Sequence, residues 1–373
     1  GVRLVGSEMC IRDRKVAVIG GGIIGLSTAL HLADGGHSVT VYDPEPASGA
    51  TWHAGGMLAP AAEVVYKQDP LFPLMIAAGK WYPELIELTQ KYTDSPTGYR
   101  TDGTLVVAKD RADKTHLEEL QAYQELHGMT TERVTTREAR KLEGALAPSI
   151  SGAVHIPGDH QVRPRLFATA LQDACANAGV EFVAEAVSDV NDVDAEQVVL
   201  ANGLGARETT GWFDGENPLK LRPVYGDMVE LRVPEHQRPL IDHVIRGFVE
   251  DRPIYLIPRE DGTLTIGATT REDDRAQPQA GGVLQLLRDA SEVVPGIEDC
   301  DFIESHVGAR PGSPDDLPYL GRVSDRVVVS TGYFRHGILL AAMGAKCGAA
   351  LVEGAQPPVE LEACDPLRHS RRN

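Results

Sequence analysis

From Lys15 to Asp43 the chain reads KVAVIGGGIIGLSTALHLADGGHSVTVYD. Val16 to Ile19 form a short, wholly apolar run of the kind that fills a buried parallel strand. Three glycines follow at dinucleotide-binding spacing: Gly20, Gly22 and Gly25. Gly20 permits a tight turn, Gly22 lets backbone approach a pyrophosphate, and Gly25 lets the helix pack close to the strand. The apolar spacing predicts a helix from Ile23 to about Ala33, stopped at Gly35-Gly36. A second strand, Ser38 to Tyr42, ends at Asp43. That carboxylate stands where a ribose hydroxyl pair needs an acceptor, and its charge disfavours a 2′-phosphate. Strand, glycine turn, helix, strand and terminal acid together indicate a nucleotide-binding βαβ unit rather than packing glycines alone. They do not separate NAD from FAD.

The 373 residues are enough for two modest domains. The formal net charge of −18 argues against nucleic acid or an anionic membrane as a partner. It also requires any site for an anionic substrate to be locally basic. No apolar run approaches the roughly 18 residues of a membrane span. The five cysteines are odd in number, widely spaced and without a CxxC pair. A reduced, cytoplasmic compartment is therefore expected, with no zinc site and no disulfide framework. Residues 1–14, GVRLVGSEMCIRDR, lack the apolar core of a secretory signal. They look like translated adapter read-through and are expected to be a non-native leader, so Cys10 carries no functional reading.

Residues 44–66 form a loop rich in Gly and Ala, suited to passing close to a large flat ligand. A helix is expected from about Leu71 to Lys91, with Pro83 kinking or breaking it. Units of parallel character (15–43, 151–201, 326–352) alternate with charged segments of alternating strand pattern, notably RPVYGDMVELRV, PIYLIP and GTLTIGA. The order implies a discontinuous nucleotide domain with a sheet-rich domain inserted in two pieces. The expected boundaries are 15–95, 148–220 and 305–365 for the first, and 96–147 and 221–304 for the second.

The glycine motif with Asp43, then SGATWHAGGMLAPAAE (48–63), GARPGSPDDLPYLGR (308–322) and STGYFRHGILLAAMGA (330–345), resembles the D-amino-acid oxidase family of flavoproteins, nearest its glycine-oxidising members. The likeness covers nearly everything after residue 14. It implies an α/β fold: an FAD-binding Rossmann-like domain, discontinuous in sequence, with an α+β substrate domain built on an antiparallel sheet. It implies non-covalent FAD, since no cysteine lies in the ARPGSPD stretch where sarcosine oxidases can attach their flavin. Carried over residue by residue, it puts Gly20, Gly22, Ile23, Ile24 and Gly25 at the pyrophosphate and Asp43 at the ribose. Thr51, Gly56 and Met57 would lie along the ribityl chain and flavin, and Val162 would meet the adenine side through its backbone. Ala201, Gly203, Gly332, His336, Gly337, Ile338 and Leu339 would approach the cofactor. The helix after Gly337 would turn its positive end toward the flavin pyrimidine ring.

For substrate the same likeness implicates Tyr255, Arg310 and Arg335, and the physics agrees for the first two. An amino-acid carboxylate suits a bidentate guanidinium, and Arg310 stands in an apolar run bounded by Gly and Pro. Tyr255 can donate its hydroxyl to the second carboxylate oxygen. Arg335 would serve substrate or flavin; the sequence does not separate these. Trp52, His53, Tyr225 and Thr270 depart from the family pattern and are expected to shape the amine pocket. His155, His160 and His336 have no metal-ligand spacing, so no metal is expected, and no GxSxG nucleophile elbow occurs. The implied reaction is oxidative deamination of glycine or a small amino acid with molecular oxygen, giving a 2-oxo acid, ammonia and hydrogen peroxide and supplying thiamine thiazole synthesis. The alternative is a sarcosine-type or D-amino-acid oxidase or dehydrogenase of the same fold. A non-catalytic flavin-binding protein would have no need of Arg310 and Tyr255. Relatives are often homotetramers, which makes self-association plausible.

Overall fold

The computed structural model describes residues 13–370; residues 1–12, most of the expected leader including Cys10, lie outside it. Asp13 and Arg14 join the fold, each accepting the Ser38 N–H, at 3.2 and 3.1 Å. The first sheet has six strands, β1 (Lys15–Ile19), β2 (Ser38–Tyr42), β8 (Glu181–Val183), β9 (Gln197–Leu200), β15 (Tyr319–Arg322) and β16 (Val327–Thr331), in the order β15-β16-β9-β1-β2-β8. All neighbours are parallel except the β15–β16 pair. β1 is central and its side chains split between two cores. Val16 and Val18 face the helices α1 (Ile23–Asp34), α2 (Phe72–Tyr92), α5 (Pro164–Asn177) and α7 (Ala341–Glu353). Ala17 and Ile19 face the opposite cluster around Trp212, Leu219 and Tyr319. Burial on both faces is why this strand reads as an unbroken apolar run.

The second sheet has eight strands in the order β14-β10-β13-β12-β11-β4-β6-β5. They are β4 (Thr104–Ala108), β5 (Glu132–Val134), β6 (Gly152–Ile156), β10 (Arg222–Arg232), β11 (Val244–Val249), β12 (Arg252–Pro258), β13 (Thr263–Gly267) and β14 (Asp301–Gly312). Every pairing is antiparallel but β11–β4. One face packs on Leu286, Ala290 and Val293 of α6 (Ala280–Val293), with Ala139 of α4 (Thr136–Leu142) in the same core. Leu117 and Leu120 of α3 (Arg111–Leu126) belong instead to the larger core, where they meet Val106 and Val154. A two-stranded ribbon, β3 (Met57–Leu58) with β7 (His160–Gln161), completes the strands.

Three expectations need correction. β6 and residues 305–312 of β14 belong to the eight-stranded sheet, although they fall within the ranges 148–220 and 305–365 expected for the nucleotide domain. Apolar content reports that a strand is buried, not which strand it pairs with. Pro83 does not break the fold's longest helix into two; α2 runs through it. Tyr82, Leu85 and Ile86 on either side are buried, and that packing outweighs the lost hydrogen bond. The last helix begins at Ala341 rather than directly after Gly337, because the 3₁₀ turn Phe334–His336 is followed by further turns over residues 337–340, closed by the Leu340 N–H donating to the His336 carbonyl at 2.8 Å.

Candidate active site

A cavity of about 620 Å³ lies between the C-terminal ends of the first sheet's strands and the inner face of the second sheet. That is where open α/β sheets bind ligands, and the size suits a cofactor with a small co-substrate. Gly20, Gly22, Ile23, Ile24 and Asp43 line one end. Gly20 has φ +108°, and a Cβ there would lie 2.6 Å from the Ala201 and Asn202 backbone, so only glycine fits. Gly22 caps α1 without a side chain, which leaves the first turn open to an anion. The Ile23 N–H donates to Thr51 Oγ1 at 3.0 Å, fixing the following loop against the helix. Asp43 accepts the Gly21 N–H at 2.6 Å and the Glu45 N–H at 2.9 Å. It ties the glycine turn to β2 while keeping lone pairs for a ribose hydroxyl. Asn202 Oδ1, beside that turn, is buried without a partner among the described residues.

The other end is basic. Arg310, on β14, stands opposite Val224 of β10. Two residues on, Gly226 leaves room for its guanidinium: a Cβ there would lie 2.2 Å from Arg310 Nη2. Arg310 Nη1 donates to the Thr269 carbonyl at 3.3 Å, and its other donors remain for a ligand. Burial lowers its pKa, with Arg335 adding to that and Tyr255 and Glu63 opposing it. Tyr255 of β12 lies across from Arg246 of β11 and Gly267 of β13. A Cβ on Gly267 would sit 2.3 Å from its hydroxyl oxygen. Burial pushes the phenol up to about 12, so it stays a neutral donor.

Sequence reasoning missed the acid at the centre of this end. Glu63, at the end of GMLAPAAE, is buried and hydrogen-bonds Arg246, itself buried. Arg335 lies 4.0 Å and His336 Nδ1 3.7 Å from the same carboxylate. Burial alone would raise the Glu63 pKa, but Arg246, Arg335 and His336 bring it down to about 2. The His336 pKa is also lowered, but by burial, which holds it down to about 4. The available signal was an arginine in the middle of the apolar strand VIRGFV. Asp159 supports the loop by accepting the Ala61 and Ala62 N–H groups at 3.3 and 2.9 Å.

Tyr255, Arg310 and Arg335 share the cavity wall with Gly20, Gly22, Ile23, Ile24, Asp43, Thr51, Gly56, Met57, Ala201, Gly203, Gly332, Gly337 and Ile338. Gly25, Val162, His336 and Leu339 stand behind it. Gly25 is a packing glycine, since a Cβ would lie 1.8 Å from the Gly20 carbonyl oxygen. The Val162 N–H donates to the Gly56 carbonyl at 2.9 Å, and its own carbonyl accepts from buried Arg259 at 3.0 Å. Of the four residues that depart from the family pattern, His53, Tyr225 and Thr270 line the cavity. Trp52 does not: it is 41% exposed with the Arg165 guanidinium stacked 4.7 Å over its ring.

Residues 15–351 match the family described as FAD dependent oxidoreductase. The chain belongs to this family. It is 32% identical to a glycine oxidase of Geobacillus kaustophilus, over 95% of this chain and 97% of that one. It is 31% identical to a bifunctional protein ThiO/ThiG of Synechocystis, over 95% of this chain but 54% of that one. The crystal structure of the Geobacillus kaustophilus glycine oxidase superposes with a TM-score of 0.85 at 30% identity, covering 96% of this chain and 99% of that one. The protein is an FAD-dependent oxidoreductase of the glycine oxidase type. The site fits that cofactor: the glycine cradle and open α1 terminus suit a pyrophosphate, Asp43 a ribose, and the unpartnered Asn202 Oδ1 a donor on the ligand. Thr51, Gly56, Met57, Gly337 and Ile338 would flank the flavin. When bound, FAD supplies the two-electron acceptor.

Proposed function

We propose that the protein oxidises glycine or a similarly small amino acid. The products are the imine's hydrolysis products, glyoxylate and ammonia in the case of glycine, and hydrogen peroxide from molecular oxygen. The observation that carries this reading is the pairing of Arg310 and Tyr255 at the end of the cavity away from the glycine cradle. A guanidinium with free donors and a neutral phenol are complementary to one carboxylate. Gly226 and Gly267 give up side chains to make room for them. Arg335 adds a second cation, held toward Glu63. The protein's part is to bind the carboxylate, exclude water and hold the α-carbon at a fixed place.

The ThiO name of the Synechocystis relative supports a role in feeding thiazole synthesis. The four described cysteines are free thiols, and among the described residues no helix is long and apolar enough to cross a membrane; both support a cytoplasmic enzyme. Self-association, as in tetrameric members of the family, is part of the same reading. Arg310→Ala tests the carboxylate assignment. Hydrogen bonds to a charged group contribute about 1.5–3 kcal/mol, so the glycine KM should rise roughly 10- to 150-fold. FAD content should stay unchanged. An unaltered KM would remove Arg310 from substrate binding.

A further inference from the structure

Carboxylate binding leaves His53 on the cavity wall unused, together with the polar residues that support it. Alternate residues of a strand share a face, so His306, Gly308 and Arg310 of β14 point the same way. His53 packs over Gly308: a Cβ there would lie 2.5 Å from His53 Cβ. His53 is therefore seated between His306 and Arg310, over a residue roughly 7 Å along the strand from Arg310. The His53 and His306 Nδ1 atoms are 3.1 Å apart. That contact needs a single proton, one ring donating and the other accepting.

Glu230 decides which ring donates. Its Oε1 lies 3.8 Å from His306 Nε2, which has no hydrogen-bond partner among the described residues. Burial would raise the Glu230 pKa, but His306, Arg259 and a hydrogen bond from Thr265 keep it lowered and the group ionised. A neutral His306 that turned its Nε2 proton toward that carboxylate would present Nδ1 as an acceptor. His53 then donates from Nδ1, and its Nε2 is bare. The other charges acting on His53, Arg165 and Glu304, pair with each other at 2.8 Å. Burial, His306 and Arg165 hold the His53 pKa down to about 4, so the ring is neutral near pH ~7.

We propose that His53 Nε2 accepts an N–H of the substrate's amino group, and that His306 and Glu230 are positioning residues that hold His53 in the accepting tautomer. The inference rests on the amino-acid reading above and extends it. Glu63, a carboxylate that acts on Arg310, is already engaged by Arg246 and flanked by Arg335 and His336. With the carboxylate on Arg310 and the amine on His53, two points fix the α-carbon and present one of its hydrogens in a set direction.

The test compares two ligands on the FAD-loaded protein. Glycine affinity is read from saturation of anaerobic flavin reduction, and acetate affinity from the static shift of the flavin spectrum. His53→Phe should weaken glycine about tenfold or more and acetate less than about twofold. Glu230→Gln should shift the two ligands in the same unequal way. Equal losses for both ligands, or no loss for glycine, would overturn the proposal. Ring ¹⁵N spectra of histidine-labelled protein, assigned with His53→Phe and His306→Phe, should show His53 Nε2 unprotonated and His306 Nε2 protonated. The reverse tautomers would overturn it whether or not glycine is a substrate. A wild-type flavin that no amino acid reduces would instead sink the proposed function, leaving the tautomer reading to be judged by the spectra.

Discussion

Replacing Glu63 by Gln would leave the Arg246 guanidinium, only 5% exposed, without its carboxylate. Breaking a buried pair from one side costs about 3–5 kcal/mol, because the remaining charge stays desolvated. Glu63→Gln should therefore lower the unfolding free energy of the FAD-loaded protein by that amount in denaturant titrations near pH ~7. The folded-state pKa of Glu63, about 2, is below its ordinary 4.5. Its stabilisation is thus fully present above about pH 4.5 and lost as pH falls toward about 2. The difference between wild type and variant should shrink over that window; a gap independent of pH would contradict the ion-pair account. Arg310 and Tyr255 were singled out in the sequence by the family resemblance, with the chemistry of carboxylate binding in agreement. Glu63 was not. Its partner is 183 positions away, and a charge pair at that separation leaves no periodic trace.

At the scale of elements, the turn that presents Glu63 depends on Asp159, which reaches across to the Ala61 and Ala62 amides. Burial raises the Asp159 pKa from 3.8 to about 7, against the pull of those two amides. A carboxyl whose folded pKa is raised favours the folded state at low pH, and stability falls as pH rises through the interval between the two values. Asp159→Asn keeps an acceptor oxygen and removes the titration. Its stability relative to wild type should improve as pH goes from about 5 to about 8, measured by thermal unfolding in matched buffers. A difference that stays flat would show that Asp159 does not titrate there. The βαβ unit was readable from residues 15–43 because strand, turn and helix each left a local signature. The sheet that takes β6 and β14 was not readable, because pairing is decided by contacts such as Val106↔Val154 and Val224↔Arg310. The continuity of α2 through Pro83 was also hidden, since tertiary burial decides it.

At the scale of the whole molecule, the cavity takes walls from both sheets: Gly20 and Ala201 from one side, Tyr255 and Arg310 from the other. A ligand that fills it stabilises the folded chain by mass action. With free FAD at about 100 times its Kd, the gain over the FAD-depleted protein is about 2.7 kcal/mol. Thermal unfolding with and without added FAD should show a midpoint that rises with FAD concentration; a concentration-independent midpoint would show that the folded chain does not bind free FAD reversibly. The measurement that bears most directly on the central claim is the visible spectrum of the purified protein before and after anaerobic addition of glycine. The account predicts flavin absorption that bleaches with glycine and returns, with peroxide formed, when oxygen is admitted. A flavin left oxidised by glycine and by every other small amino acid would contradict it.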